Sequence, residues 1–233
     1  MLDITLYSYP ELYEVADNNP FGLKVYAFLK LAGLPFRHEH IFDASKAPRG
    51  QLPYITDGDQ TIGDSDTIIA HLIERHGLSI DSDLTQTQRD TGLLLRRTLD
   101  DLYWVMSYSR WKDPRFWPQF QAALIARHPV LTGDALRGAR EYNEKRYYYQ
   151  GIGRFEPDAA YARGIADLAV VADLLPPAGF MVGPMPCSID AGIYGFTANI
   201  FFYDIDTPLK RFLLSKPGIV AHCKAVHGAI AKS

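Results

Sequence analysis

An α+β N-terminal domain followed by an all-helical domain is the fold class the sequence predicts. Three observations carry it. Residues 1–77 read β-α-β, a break, then β-β-α. Residues 78–87 are polar and aperiodic, as a linker between domains would be. Every periodic segment from residue 88 to 233 has helical rather than strand spacing. At 233 residues the chain has room for two modest domains, each with a core.

In order, Ile4 to Tyr9 reads as the first strand, with Ile4, Leu6 and Ser8 on one face and Thr5, Tyr7 and Tyr9 on the other. Glu11 to Asn18 reads as a polar loop. Asn19-Pro20 has the form of an N-cap with proline at the first helical position. Val25, Phe28, Leu29 and Ala32 then recur at helical spacing, and Gly33 ends the helix. Phe36 to Phe42 alternates as a second strand. Tyr54-Ile55-Thr56 and Gln60-Thr61-Ile62 form a hairpin about Asp57-Gly58, and a helix from Ser65 to His76 ends at Gly77.

A long helix is predicted from Gln88 to Lys112, with Leu95, Leu99, Leu102, Tyr103 and Met106 on one side and Asp113-Pro114 as the break. Shorter helices follow near 116–127, 134–149 and 157–174. Asp190 to Phe202 is apolar all round, which places it at the centre of a bundle. Lys216-Pro217-Gly218 opens a last helix.

Composition narrows the function. Net charge is −3 and no Lys/Arg run stands out, so nucleic acid is not an expected partner. No apolar run approaches the ~20 residues of a membrane span, and Met1-Leu2-Asp3-Ile4 lacks a basic n-region and an apolar h-region, so no secretory signal is expected. With only Cys187 and Cys223, far apart, a reduced cytoplasmic protein is expected.

The stretch with chemistry is Gln51-Leu52-Pro53-Tyr54-Ile55, followed by Gly63-Asp64-Ser65. Pro53 cannot donate to a ladder, which leaves the Leu52 N–H and C=O for a partner other than a strand. Asp64 and Ser65 open a helix whose N-terminus favours anions. Together they outline a site for a small peptide bearing a carboxylate. Taken singly, Pro53 also fits a plain edge strand, and Asp64 and Ser65 a plain cap.

The order of elements resembles a thioredoxin-like fold, in which the proline before the third strand is characteristically cis. Joined to an all-helical domain, it is similar to the glutathione S-transferases. Pro20-Phe21-Gly22-Leu23-Lys24 resembles the start of that superfamily's first helix, Leu52-Pro53 with Asp64-Ser65 its glutathione-binding core, and Phe180-Met181-Val182-Gly183 with Ser188-Ile189-Asp190-Ala191 the approach to its central helix. Arg49-Gly50-Gln51-Leu52-Pro53-Tyr54-Ile55 and Gln150-Gly151-Ile152-Gly153-Arg154 resemble the failed axon connections and metaxin-like branch.

The resemblance implies that Leu52 pairs with the cysteinyl part of glutathione in the manner of an added strand. Ser65 takes the γ-glutamyl carboxylate, Asp64 the α-amino group, and Lys46, Arg49 or Gln51 the glycyl carboxylate. A thiol near pKa ~8.5 needs a donor to stand as thiolate at neutral pH. Where the related branch tends to carry Ser, this chain has Asn19, which can donate from its amide. Asn19 and Tyr7 stand level as candidate catalytic residues, with Tyr9 behind; a plain N-cap role for Asn19 is equally open. Tyr103, Trp104, Tyr108, Trp111 and Trp117 are candidates for an aromatic wall, about two of them lining a pocket for a second substrate.

The implied function is transfer of a glutathione thiolate to a small hydrophobic electrophile by a homodimer. The alternative is a non-catalytic glutathione-fold protein that binds a partner, like the metaxins. A reductase with a cysteine on the enzyme is rejected, because no Cys lies near the first helix. The histidines do not read as metal ligands: His71 and His76, like His222 and His227, are five apart, and His38 and His40 lack a third partner. Arg154 is expected to brace the helical domain. Cys187 stands where the superfamily usually has the Ser or Thr of a capping box, so Ser188 or water is expected to cap the central helix instead.

Overall fold

A computed structural model describes residues 3–232; Met1, Leu2 and Ser233, at the ends of the two expected domains, lie outside the described residues. Strand β1 (Ile4–Ser8), helix α1 (Pro20–Leu31), β2 (Arg37–His40), β3 (Tyr54–Asp57), β4 (Gln60–Gly63) and α2 (Ser65–His76) form the N-terminal part. Its sheet has the order β2-β1-β3-β4, with β1 parallel to β2 and antiparallel to β3. Leu6 pairs with Ile55, so both enter the same core, where Phe28 and Leu29 of α1 and Ile68 and Leu72 of α2 cover the sheet. The Leu52-Pro53 peptide is cis. Gly77 takes the left-handed conformation that ends α2.

Among the described residues seven α-helices follow: α3 (Gln86–Trp111), α4 (Trp117–Arg127), α5 (Gly133–Gln150), α6 (Pro157–Leu174), α7 (Ser188–Phe201), α8 (Pro208–Leu214) and α9 (Pro217–Ile230). Helix α3 starts before its amphipathic pattern does, because Thr85 and Gln88 close a capping box. Helix α8 is not anticipated by periodicity, being a single short element. Its signal is local, with Thr207 Oγ1 accepting from Lys210 N at 3.2 Å and Pro208 at the first position. No helix among the described residues is long and apolar enough to cross a membrane.

Helix α7 is the centre, buried from Ile189 to Ile200. Its most extensive partner is α1. Gly195 permits that approach, since a Cβ there would lie 2.6 Å from Pro20 O and 2.9 Å from Lys24 N.

Asp190 anchors the start of α7. Oδ1 accepts from Met181 N at 2.7 Å and lies 2.8 Å from His222 Nε2. Oδ2 accepts from the Cys187 N–H at 2.8 Å and its thiol at 3.2 Å. This corrects the expectation for the cap. Cys187 is itself the N-cap residue, because Asp190 reaches back to its backbone, while Ser188 N donates to Asp81 Oδ1 at 2.9 Å.

Two further readings change. The Glu11–Asn18 loop is not simply polar: Leu12 and Val15 are buried and exchange backbone hydrogen bonds of 3.3 Å. His71 and His76, despite their spacing, converge on Asp57 Oδ2 at 3.0 and 2.9 Å, with Arg75 at 3.2 Å, and staple α2 to the hairpin. Of the three consecutive tyrosines on α5, Tyr147 is buried and Tyr149 is 82% exposed, as one helix face cannot hold all three. Arg154 is exposed and lies over the Tyr148 ring.

Candidate functional site

The segment before Pro53 is shaped by a single-turn 3-10 helix, Pro48–Gly50, in which Arg49 and Gly50 both have φ of 62°. Lys46, Arg49 and Gln51 are exposed around it. Leu52 and Pro53 are buried, yet among the described residues neither the N–H nor the C=O of Leu52 has a hydrogen-bond partner. A buried backbone with both groups open is set up to pair with an extended ligand.

Asp64 has φ of 75° and caps α2, with Oδ1 accepting from Thr67 N and Thr67 Oγ1 at 3.0 Å each. Ser65 is buried in the first turn. Its Oγ accepts from Lys24 Nζ at 3.3 Å, and Lys24 also pairs with Asp66. Arg96 Nε of α3 lies 3.8 Å from the same Asp66 oxygen. The first-turn N–H groups, a hydroxyl and two cations thus meet carboxylates within one turn of helix.

At the N-terminus of α1, Asn19 Oδ1 accepts from Phe21 N at 3.0 Å. The cap role is therefore real, and it uses the oxygen. The Asn19 amide nitrogen has no partner among the described residues. Beneath it, Asp17 is 0% exposed, with Oδ1 accepting from Asn19 N at 2.6 Å and Oδ2 unpaired. Burial pushes the Asp17 carboxyl up to about 8, so it holds its proton at neutral pH. Gly22 makes room for it: a Cβ there would fall 1.6 Å from Asp17 Oδ2.

Arg110 of α3 locks this loop. It donates to Asn18 O at 2.7 Å, to Asn199 O at 2.6 Å and to Asn199 Oδ1 at 3.3 Å, and it lies over the Tyr203 ring. Asn199 Nδ2 in turn donates to Asp17 O at 3.2 Å.

The candidate aromatics separate. Tyr7 stacks on Tyr54 with centroids 4.4 Å apart, on the sheet face away from Leu6 and Ile55. Tyr9 faces Tyr103, Asp17, Arg146 and Tyr142, and burial pushes its hydroxyl up to about 12, which keeps it a donor. Tyr103 packs on Phe21 at 5.0 Å and on Trp104 at 5.4 Å, while Arg146 lies over Trp104. Tyr108 is 2% exposed and packs with Tyr147 and Tyr161, which makes it core. Trp111 and Trp117 pack on each other and on Phe120. Tyr103 and Trp104 thus form one aromatic corner beside Phe21, with Tyr9 within electrostatic reach of Tyr103. Trp111 and Trp117 belong to a separate cluster.

The comparisons with known proteins agree with one another. The family model described as the glutathione S-transferase N-terminal domain matches residues 20–116, and that of the C-terminal domain matches residues 164–226. The chain belongs to the glutathione S-transferase superfamily. It is 28% identical over 232 residues to an isoprene-epoxide–glutathione S-transferase of Rhodococcus sp. (strain AD45), covering 96% of this chain and 97% of that protein. It is 26% identical over 233 residues to Failed axon connections of Drosophila melanogaster, covering 94% of this chain but 56% of that longer protein. In fold it is similar to a glutathione S-transferase of Ceriporiopsis subvermispora solved in complex with glutathione. That likeness has a TM-score of 0.65 at 16% identity and covers 97% of each chain.

Within this superfamily chain, four residues of the site region escape sequence reasoning: Asp17, Lys24, Arg110 and Asn199. Lys24 stands between buried Leu23 and Val25, and Asn199 lies inside the buried run of α7. A polar residue interrupting an apolar helical face was the available signal. It says that a partner exists but not which one. Both cysteines are buried, and burial pushes each thiol up to about 12, which leaves them protonated and unreactive.

Proposed function

We propose that this superfamily member binds glutathione at Leu52-Pro53 and Asp64-Ser65 and transfers its thiolate to a small hydrophobic electrophile. The observation that carries the reading is the open N–H and C=O of buried Leu52 beside the N-terminus of α2. The Leu52 backbone pairs with the cysteinyl residue. Ser65 takes the γ-glutamyl carboxylate through its hydroxyl and N–H, and Asp64 receives the α-amino group. Lys46, Arg49 and Gln51 stand ready for the glycyl carboxylate at the exposed end.

The tripeptide's sulfur then points toward the N-terminus of α1. There the free Asn19 amide and the helix dipole stabilise thiolate over thiol, with the Tyr9 hydroxyl as the second donor. A protonated Asp17 helps by adding no negative charge beneath the sulfur. The thiolate attacks an electrophilic carbon; the S–C bond forms as the bond to a halide, or to an epoxide oxygen, breaks. Tyr103 and Trp104 supply the apolar wall. We take the working form to be a cytoplasmic homodimer.

The test is turnover with glutathione and an aryl halide or a small epoxide, the class named for the Rhodococcus relative. Asn19→Ala and Tyr9→Phe are each expected to lower kcat/KM by about 10- to 100-fold, the loss of one donor to a developing or resting anion. Tyr7→Phe, which keeps the stack on Tyr54, is expected to stay within about threefold. If Asn19→Ala and Tyr9→Phe both leave kcat/KM intact, the assignment of the thiolate donors fails. The rival reading, binding without catalysis, is favoured by Asn19 standing without a hydroxyl and spending its oxygen on the cap. Glutathione binding with no turnover of any electrophile would establish it.

A further inference from the structure

Lys24 is the most deeply placed cation at the candidate site. It is 3% exposed, on the α1 face that packs against α7. Gly195 leaves the room in which its stem lies. Only its ammonium emerges, onto Asp66 and Ser65 at the start of α2. Stability is a poor reason for a lysine here, because a packed apolar side chain usually serves a buried position as well or better. Asp66 does not require it either, being 39% exposed at the side chain and shared with Arg96.

The chemistry of the Ser65 hydroxyl gives a reason. A serine hydroxyl has one proton to donate and two lone pairs to receive. Lys24 Nζ, which can only donate, occupies a lone pair. The proton is thereby left for an acceptor. The α2 N–H groups beside it are donors too, so the complement of the cluster is an anion, and the Asp64 and Asp66 carboxylates nearby suit a cation one or two bonds from it. Carboxylate and ammonium on one carbon is the chemistry of an α-amino acid head.

We propose that Lys24 is a positioning residue that commits the Ser65 hydroxyl to the α-carboxylate of a γ-glutamyl ligand, and so sets the site's preference for that zwitterionic head. This rests on the glutathione reading above. The contacts of the Lys24 ammonium with Asp66 and Ser65 place its charge at this corner rather than in the α1–α7 seam.

The test is calorimetric titration with glutathione and with γ-aminobutyryl-cysteinyl-glycine, which lacks only the γ-glutamyl α-carboxylate. Wild-type protein is expected to bind glutathione about 10- to 100-fold more tightly than the analogue, the range for a charge-assisted hydrogen bond. In Lys24→Met that preference is expected to fall by about tenfold, the share owed to the oriented Ser65 hydroxyl, with the analogue's affinity unmoved and the α2 N–H groups keeping the remainder. Ser65→Ala, which deletes a single oxygen, is expected to cut the preference to the same extent, and Lys24→Met added to it should change affinity less than about twofold. A Lys24→Met variant that weakens both ligands equally, or neither, overturns the proposal, as does a further tenfold loss in the double variant. Should Lys24→Met not fold, a preference that Ser65→Ala leaves at its wild-type value overturns it equally. Wild-type protein that binds neither ligand removes the glutathione reading itself, and this proposal with it.

Discussion

Replacing Arg110 by methionine is expected to lower stability by about 2–4 kcal/mol and to loosen the chain from Pro10 to Asn19. Methionine fills much of the volume, so the loss is mainly of hydrogen bonds. Three acceptors, Asn18 O, Asn199 O and Asn199 Oδ1, lose a charged donor in a buried setting. Bonds to charged groups are worth ~1.5–3 kcal/mol each, offset by the relief of no longer burying a guanidinium. The cation–π contact with Tyr203 goes as well. Equilibrium denaturation reads the stability. Hydrogen exchange at Asn18, whose N–H donates to Pro10 O at 3.1 Å, reads the loop. Faster exchange there, beyond what the global change gives, is the expected mark of a lock on the α1 N-terminus. Uniform acceleration everywhere would mean that Arg110 serves general stability alone.

Asp190→Asn carries the larger penalty, about 3–5 kcal/mol, as for one partner removed from a buried charged pair. The amide keeps the shape but can accept with one atom only. Its nitrogen must face either the Met181 N–H and His222 or the Cys187 N–H and thiol. The pH dependence follows from the carboxyl's own shift. Burial alone would raise it, but His222 and the Cys187 and Met181 N–H groups together hold Asp190 below the usual carboxylate range. A depressed folded pKa contributes stability that is fully present above the unfolded value of ~3.9 and fades as pH falls through the folded value. The gap between wild type and Asp190→Asn is therefore expected to be level from about pH 5 to 8 and to narrow below about pH 4. A gap that widens on acidification would contradict this.

The sequence made the scaffold legible wherever one element states its own signals. Asn19-Pro20, the Asp57-Gly58 hairpin, Ser65 to Gly77 and the buried α7 all carry caps, turns or periodicity that local chemistry reads directly. Partnerships across the chain were not legible. Nothing in the spacing of His71 and His76 says that one carboxylate at the hairpin turn receives both. Leu12 and Val15 sit in a loop with no repeat, and only the elements packed over it show that they are buried. Asp17 and Arg110 are joined through backbone carbonyls, which no side-chain motif encodes. The glutathione-binding strings were readable because they are local; the groups behind them, Lys24 and Arg110, approach from other helices. The same limit separates the thiolate candidates, since Tyr7 and Tyr9 share a strand pattern while only Tyr9 meets α3 and α5.

The central claim is that Leu52-Pro53 and Asp64-Ser65 form a glutathione site. Calorimetric titration of wild-type protein with glutathione tests it most directly. Saturable binding at about 1 mM or tighter, near 4 kcal/mol or more of binding free energy, is the expected result. No saturable heat at several times that concentration (roughly 10 mM) contradicts it, whatever the fold.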